Sequence, residues 1–230
     1  MELDALLARI HRRYETETAE CAVRGLSLKL LQIKDMAGYL EELADRAPEG
    51  QLRLPYWAKV WEASLVLADY LLTLPGFAPG SPPKRIIELG AGMGVPGLLL
   101  AAAGHHVTLT DSEPEALEFA QAAALMNGLE ERVRTQRLEW GRPELDGRYE
   151  AVIGSELFYN PADCPAFLRL LATLGAPAYL AKGPVVRGTE FVACLRRDFE
   201  FVEVRRRLRC AEGAYPVSIY VVGRRLREAP

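Results

Sequence analysis

Segments with the period of a strand alternate with segments with the period of a helix along most of this chain. Short apolar runs that end at a glycine or a polar residue are typical of buried strands, and apolar residues three and four apart are typical of helices. From residue 85 onward the two kinds of segment follow each other, which predicts crossover connections and a mostly parallel sheet. We expect strands at 85–89, 106–110, 133–138, 149–155, 177–182, 200–207 and 216–223, separated by helices at 94–103, 112–126, 162–173 and 188–197.

The first part of the chain has a different pattern. We expect a polar-faced helix over 1–16, a strand over 21–33, a short helix over 36–46 and an apolar helix over 61–74. Because a short loop joins the last two strands of the chain, the final strand should run antiparallel. The prediction is a doubly wound α/β fold with a mostly parallel, seven-stranded sheet. Residues 1–60 are expected to form a helical and strand extension packed on the core, and residues 61–230 the main domain.

Composition limits the classes of function. With 230 residues, half of them hydrophobic, the chain can bury one good core. A net charge of −3 and a pI near 5.8 give no basic surface for nucleic acid, so no nucleic-acid partner is expected. Arginines do cluster late in the chain, between residues 196 and 227. Solvated strand and helix faces account for them best, although an acidic protein partner could also use such a surface.

The location of the protein is predicted from what the sequence lacks. The first residues do not have the basic-then-apolar order of a signal peptide. No uninterrupted apolar run approaches about 18 residues, so no membrane span is expected. The four cysteines are far apart in sequence, which indicates neither a metal site nor a disulfide framework. We therefore predict a cytoplasmic protein without a metal.

The most informative stretch is a glycine-rich turn. An apolar run ends at Glu88 and opens directly into Gly90, Gly92 and Gly94, after which helical patterning resumes. Glycine adopts positive φ freely and lets a ligand approach the backbone. A helix that begins at such a turn directs unpaired N–H groups and a positive dipole end toward the ligand. The stretch predicts a site for a nucleotide-type cofactor.

Two glycine spacings overlap in this turn. Gly92, Gly94 and Gly97 match the G-x-G-x-x-G of dinucleotide binding. The spacing E-x-G-x-G-x-G that starts at Glu88 resembles the first motif of class I S-adenosylmethionine methyltransferases. Asp111 follows the next strand about 20 residues later, where a carboxylate accepts ribose hydroxyls in both kinds of site. Glu88 favours the methyltransferase, because its carboxylate would repel a pyrophosphate but could balance the methionyl ammonium and sulfonium of S-adenosylmethionine.

Three further stretches resemble one subgroup, the family 16 or seven-β-strand protein lysine methyltransferases. They are Leu54-Pro-Tyr-Trp-Ala-Lys-Val-Trp61, Leu138-Glu-Trp140-Gly141 and Ser155-Glu156-Leu-Phe-Tyr159-Asn160. The resemblance covers roughly residues 54–182. It implies that S-adenosylmethionine is the cofactor and that 61–230 is a class I methyltransferase domain. It also implies cofactor contacts for Trp61, Glu88, Gly90, Gly92, Gly94, Asp111, Trp140 and Ser155.

The same resemblance assigns the acceptor side of the reaction. Glu156 and Tyr159 are expected to be catalytic, with Phe158 and Tyr159 forming an aromatic slot for the substrate. Such a slot would desolvate a lysine ammonium and lower its pKa from near 10.4, so that its lone pair can attack. Lys182 and Arg187 are expected at the rim. The implied function is methylation of a lysine in a cytoplasmic protein.

Three alternatives stay open at this point. The same scaffold could methylate a small amine, in which case a closed apolar pocket is expected in place of an open groove beside Tyr159. The spacing from Gly92 to Gly97 leaves a dinucleotide-dependent oxidoreductase as a second alternative. A cofactor-binding module without catalysis is the third.

Overall fold

The computed structural model describes residues 2–48, 52–157, 159–184, 189–210 and 213–225. The helices are α1 (Leu3–His11), α2 (Met36–Arg46), α3 (Glu62–Thr73), α4 (Val95–Ala102), α5 (Pro114–Met126), α6 (Cys164–Leu174) and α7 (Thr189–Asp198). The strands are β1 (Thr16–Val23), β2 (Leu26–Ile33), β3 (Arg85–Leu89), β4 (His106–Asp111), β5 (Val133–Arg137), β6 (Ala151–Ser155), β7 (Ala178–Lys182), β8 (Phe199–Cys210) and β9 (Gly213–Arg225).

Seven of these strands form one sheet in the order β5-β4-β3-β6-β7-β9-β8. The first five in this order are parallel to one another, and β9 runs antiparallel to both β7 and β8. The predicted doubly wound α/β fold with an antiparallel last strand is therefore confirmed. Both final strands are longer than predicted, and strand pairing extends through most of the expected loop from Cys210 to Tyr215.

The N-terminal region differs from the prediction. The helix expected over 1–16 ends at His11, and the strand expected over 21–33 is a complete hairpin of β1 and β2. The chain reverses at Arg24 and Gly25, whose φ angles of 50° and 79° are both positive. Two positive φ angles in succession are what a tight hairpin turn requires. Arg-Gly is a weak sequence signal for such a turn. The strand-like pattern continues across these two residues, and the sequence therefore predicted one strand where the structure has two.

Helices cover both faces of the large sheet. One apolar cluster joins α3, α4 and α5 to one face and includes the hairpin of β1 and β2. The second cluster joins α6 and α7 to the other face. Because both faces are covered, the strands at the centre of the sheet are almost wholly apolar. The space for a ligand in such a fold lies at the carboxyl ends of the parallel strands.

The N-terminal hairpin is attached to the core through a specific polar contact. The Asn127 side chain, just after α5, accepts a hydrogen bond from the backbone N–H of Lys29 at 2.9 Å and donates one to the backbone carbonyl of the same residue at 2.7 Å.

The division of the chain into an extension over 1–60 and a main domain over 61–230 stays a prediction. Across the described ranges, no helix is long and apolar enough to cross a membrane.

Candidate active site

A cleft of about 730 Å³ opens at the carboxyl edge of the sheet. Its walls come from the loops that follow β3, β4, β5 and β6, and from the segment 53–61 that precedes α3. Seven of the predicted cofactor residues line it: Trp61, Gly90, Gly92, Gly94, Asp111, Trp140 and Ser155. Glu156 and Tyr159 line the same cleft, so the two halves of the predicted site meet in one space.

The glycine turn has the conformation that its sequence predicts. Gly90, Gly92 and Gly94 all have positive φ, between 52° and 69°. A Cβ atom at Gly92 would lie 3.2 Å from the backbone carbonyl oxygen of Trp57, because the short 3-10 turn Tyr56–Ala58 crosses directly over the loop. The backbone of Trp57 therefore closes the cleft over Gly92, and a side chain at Gly92 would press against that backbone.

Asp111 fixes the second wall at the end of β4. Its carboxylate accepts hydrogen bonds from the backbone N–H groups of Gly92 at 2.9 Å and Glu113 at 3.0 Å. Burial raises the pKa of Asp111, and these N–H groups act against that rise. The carboxylate thus ties the glycine turn to the next loop while facing the cleft, where oxygen lone pairs are available to a ligand's hydroxyl groups.

Glu88 lies elsewhere. Its side chain is 1% exposed, does not line the cleft, and accepts a hydrogen bond at 2.8 Å from the backbone N–H of Gly97 in the first turn of α4. Burial raises its pKa to about 8, which keeps the carboxyl group largely neutral near pH 7. This position does not support the expected charge contact with the cofactor. It indicates that Glu88 joins the end of β3 to the start of α4.

The aromatic residues of the cofactor side occupy two walls. The Trp140 ring lies with its centroid 4.8 Å from that of Phe167, in an edge arrangement that fixes the indole at the cleft wall. Trp61 stands just before α3 and donates its indole N–H to the carbonyl of Tyr56 at 2.8 Å. Ser155 is the last residue of β6. These positions match the expectations, and their contacts with a cofactor stay predictions.

Glu156 is held in an unusual backbone conformation. Its φ of 51° is positive, which is uncommon for a residue other than glycine and is found preferentially at functional sites. The side chain is 2% exposed, and its Oε1 accepts a hydrogen bond from the backbone N–H of Gly183 at 2.8 Å. The other oxygen, Oε2, is buried without a hydrogen-bond partner among the described residues. Burial raises the pKa of this carboxyl group, an effect reduced by the Gly183 N–H and by Lys182.

Tyr159 stands at the mouth of the cleft with 42% of its surface exposed. Its ring stacks on Tyr56 and lies 6.2 Å, centroid to centroid, from Trp61. The exposed aromatic wall is thus made by Tyr56, Trp61 and Tyr159. The predicted slot partner Phe158 and the predicted rim residue Arg187 fall outside the described residues. Lys182 donates to the carbonyl of Gly183 at 3.1 Å, at the edge of the site.

The sequence reasoning assigned no role to Tyr56, Trp57 or Tyr215. Tyr56 and Trp57 belong to the stretch that resembles the family, and their aromatic character is a signal that could have identified them. Tyr215 in β9 gave no signal, because it reaches the site only through the antiparallel return of the last strand. Its hydroxyl is buried beside Gly183 and Glu156 and has no hydrogen-bond partner among the described residues. Burial together with the Glu156 carboxylate raises its pKa to about 12.

Together these features define a class of protein. A glycine turn at the first strand of a doubly wound sheet, an acidic residue at the end of the neighbouring strand and an antiparallel last strand are the features of class I S-adenosylmethionine-dependent methyltransferases. The chain belongs to the lysine methyltransferase family, whose model matches residues 55–181. The predictions of the family and of S-adenosylmethionine as the cofactor are confirmed, and the oxidoreductase alternative finds no support.

Individual relatives agree with this assignment. The chain is 35% identical to protein N-lysine methyltransferase METTL21A of Danio rerio over 66% of this chain and 72% of that protein. It is also 35% identical to histone-arginine methyltransferase METTL23 of Rattus norvegicus, over 54% of each chain, so that match spans about half of the relative. Among solved structures, a putative RNA methyltransferase of Pyrococcus horikoshii has the same fold, with a TM-score of 0.57, 17% identity, and coverage of 83% of this chain and 98% of that one.

Proposed function

We propose that this protein transfers the methyl group of S-adenosylmethionine to the side chain of a lysine in a protein, and that it does so in the cytoplasm. The observation that carries the proposal is the position of Glu156. Glu156 lines the cleft together with Tyr159, and its buried Oε2 has no hydrogen-bond partner among the described residues.

The cofactor half of the cleft fits the proposed ligand. Bound S-adenosylmethionine supplies an electrophilic methyl group on a sulfonium. Gly92 lines the cleft and lets the backbone of Trp57 approach, since a Cβ atom there would lie 3.2 Å from its carbonyl oxygen, and we assign this turn to the methionyl end. Asp111 offers a carboxylate to the ribose, and Trp140 offers an apolar ring face to the adenine.

The acceptor half must deliver a neutral amine. A lysine ammonium has to lose a proton before its nitrogen lone pair can form the new C–N bond, while the C–S bond breaks and its electrons remain on sulfur. Glu156 Oε2 has no partner among the described residues, and we assign to it the hydrogen bond from the amine and the removal of its proton. The rings of Tyr159 and Trp61 tolerate a cationic product. Alignment supplies most of the acceleration in such a displacement.

Lysine is the first candidate acceptor, because the family model that matches this chain is that of lysine methyltransferases. Arginine is the second candidate acceptor, because the resemblance to METTL23 is of similar strength to that of METTL21A.

The mouth of the cleft favours a protein over a small amine. Tyr56 and Tyr159 are 45% and 42% exposed, so the cleft is open beside Tyr159. A long side chain can enter there while the rest of its protein stays outside. A site for a small amine would enclose its substrate on all sides.

The proposal is tested by incubating the purified protein with methyl-labelled S-adenosylmethionine and a cell lysate. Labelled protein bands are then hydrolysed to amino acids and separated. Label in methyl-lysine is expected. Label in methyl-arginine would move the assignment to the second candidate, and label confined to low-mass compounds would overturn the proposal. Glu156→Gln is labelled in parallel as the matched variant, and less label is expected with it.

A further inference from the structure

The last strand brings a tyrosine hydroxyl next to the carboxyl group of Glu156. β7 ends at Lys182, which pairs with Ser218 of β9, and Tyr215 comes shortly before Ser218 on that strand. A Cβ atom at Gly183, the residue after β7, would lie 2.3 Å from the Tyr215 hydroxyl oxygen and 2.5 Å from Glu156 Oε1. The two oxygens therefore lie over the same glycine, and their separation is no greater than the sum of these two distances.

Gly183 permits this approach because it has no side chain. Its φ is not among the positive ones, so the backbone conformation does not require glycine at this position. Space does require it, since a Cβ atom would overlap both the hydroxyl of Tyr215 and the carboxyl group of Glu156. The glycine thus allows a residue of the last strand to come close to a residue of the cleft.

Both of the groups that meet here lack hydrogen-bond partners. The Tyr215 hydroxyl and Glu156 Oε2 are buried, and neither has a partner in the part of the chain that the structure describes. Burial and the Glu156 carboxylate raise the pKa of Tyr215 to about 12, so its hydroxyl keeps its proton near neutral pH and remains a donor. A buried hydroxyl without a partner is unfavourable, and an ionised carboxylate is a strong acceptor. A small rotation of either side chain would join the two.

The other charged groups around Glu156 are engaged elsewhere. Burial raises the pKa of Glu156, Lys182 and Lys59 act against that rise, and Glu62 adds to it. Lys59 forms an ion pair with Glu62 at 3.4 Å, and Lys182 donates to a neighbouring backbone carbonyl at 3.1 Å. Tyr159 faces the same carboxylate, which contributes to the rise in the pKa of its own hydroxyl. Among the described side chains, the Tyr215 hydroxyl is thus a neutral donor that remains available to Glu156.

We propose that Tyr215 is a positioning residue for Glu156, whose carboxylate accepts a hydrogen bond from the Tyr215 hydroxyl and is held in its ionised form. The inference rests on the proposed function, in which Glu156 removes the proton of the amine. A hydrogen bond to the charged form of a carboxyl group favours that form. Tyr215 does not line the cleft, so it acts through Glu156 and not on the substrate. The competing role of Tyr215 is to pack its ring against the first apolar cluster, which needs no hydroxyl.

The first experiment measures the pKa of Glu156 directly and needs no turnover. The chain is labelled with 13C at the side-chain carboxyl carbon of glutamate, and the signals are followed by NMR as the pH changes. The signal of Glu156 is identified by its absence in Glu156→Gln. Tyr215→Phe removes only the hydroxyl. Tyr220→Phe is the matched control, because Tyr220 is a buried tyrosine of the same strand that belongs to the second apolar cluster, on the opposite face.

The Glu156 signal should titrate about one pH unit higher in Tyr215→Phe than in the natural chain, because the charged carboxylate loses a donor. Tyr220→Phe should leave the midpoint unchanged. An unchanged midpoint in Tyr215→Phe would overturn the proposal, as would an equal rise in Tyr220→Phe.

The second experiment asks whether Tyr215 acts through Glu156. The initial rate of label transfer from S-adenosylmethionine to lysate proteins is measured in the natural chain, in Tyr215→Phe, in Glu156→Gln and in the double variant. Tyr215→Phe should lower the rate near neutral pH by at most about tenfold, and the rate should recover as the pH rises. In the Glu156→Gln background the same change should have no effect. A loss of rate that persists in that background would overturn the proposal.

The two proposals fail separately. Labelled lysine together with an unchanged Glu156 midpoint would remove only the role of Tyr215. A raised midpoint together with label on another acceptor would remove only the lysine assignment.

Discussion

The ring of Tyr159 stacks on the ring of Tyr56, with centroids 4.6 Å apart and planes 11° from parallel. The two residues come from opposite sides of the cleft, one from the segment before α3 and the other from the loop after β6. Their contact joins the wall over the glycine turn to the wall that carries Glu156. The stack therefore couples the cofactor side of the cleft to its acceptor side.

Breaking this stack should impair substrate binding. Tyr159→Phe keeps the ring and should leave the KM for a protein substrate nearly unchanged. Tyr159→Ala removes the ring and should raise the KM about fivefold, since an aromatic pair contributes about 1 kcal/mol beyond its buried area. Steady-state kinetics measures both values, and calorimetry with S-adenosylhomocysteine checks that cofactor binding is retained. A Tyr159→Ala variant with unchanged KM would contradict the assignment of this wall to the substrate.

Replacing Glu156 should separate catalysis from cofactor binding. Glu156→Gln has the same shape and can still accept the hydrogen bond from Gly183, but it cannot hold a proton. We expect kcat to fall by about a hundredfold, a typical contribution of a group that assists proton transfer. Affinity for S-adenosylhomocysteine should stay within a factor of about two. Full activity in Glu156→Gln would show that the amine loses its proton without this carboxyl group.

Glu88 should make the stability of the fold depend on pH. Its pKa of about 8 in the fold lies above its ordinary value of 4.5, so folding favours the protonated form. The resulting stabilisation is complete below the unfolded pKa and is lost as the pH rises through the folded pKa. Glu88→Gln has no proton to lose. A shift of one pKa unit corresponds to about 1.4 kcal/mol. Between about pH 5 and about pH 8, we therefore expect the variant to gain about 3 kcal/mol in free energy of unfolding relative to the natural chain.

Chemical denaturation of both proteins at several pH values measures this difference. If the difference in the free energy of unfolding were the same at every pH, Glu88 would be ionised in the fold and would act as a charged group. Activity should change little in Glu88→Gln, because the side chain does not line the cleft.

Gly92 should be required for cofactor binding. Its positive φ alone does not account for this requirement, because Gly128 has a similar φ and lies away from the cleft. Gly92→Ala places a Cβ 3.2 Å from the Trp57 carbonyl oxygen, whereas Gly128→Ala has a similar positive φ of 66° and meets nothing within 4 Å. Both variants should lose about 1–2 kcal/mol of stability through the left-handed backbone. Gly92→Ala alone should weaken S-adenosylhomocysteine binding, by at least about tenfold. Equal affinities in calorimetry would place the cofactor away from this turn.

The sheet was predictable because its physical signal is local. Each buried strand from residue 85 onward is a short apolar run bounded by a turn, and each helix has its own apolar face. The hairpin of β1 and β2 was not predictable in the same way, since residues at the start of β1 are largely exposed and carry no alternating apolar signal. Its pairing depends on a turn at Arg24 and Gly25 that ordinary propensities do not favour.

The sequence was sufficient to predict which residues lie at the carboxyl edge of the sheet. It was not sufficient to predict where each of their side chains points. Residues after consecutive parallel strands meet at one edge, so Gly92, Asp111 and Glu156 were expected to share a cleft. The direction of the Glu88 side chain could not be foreseen, because it depends on the N–H of Gly97 lying above the end of β3. Tyr215 was missed because it is brought to Glu156 only by the antiparallel last strand, far away in sequence.

A calorimetric titration of S-adenosylhomocysteine into the purified chain tests the cofactor site most directly. One binding site per chain is expected, with affinity weakened in Gly92→Ala and kept in Glu156→Gln. Absence of heat with the natural chain, or unchanged affinity in Gly92→Ala, would contradict this cofactor site.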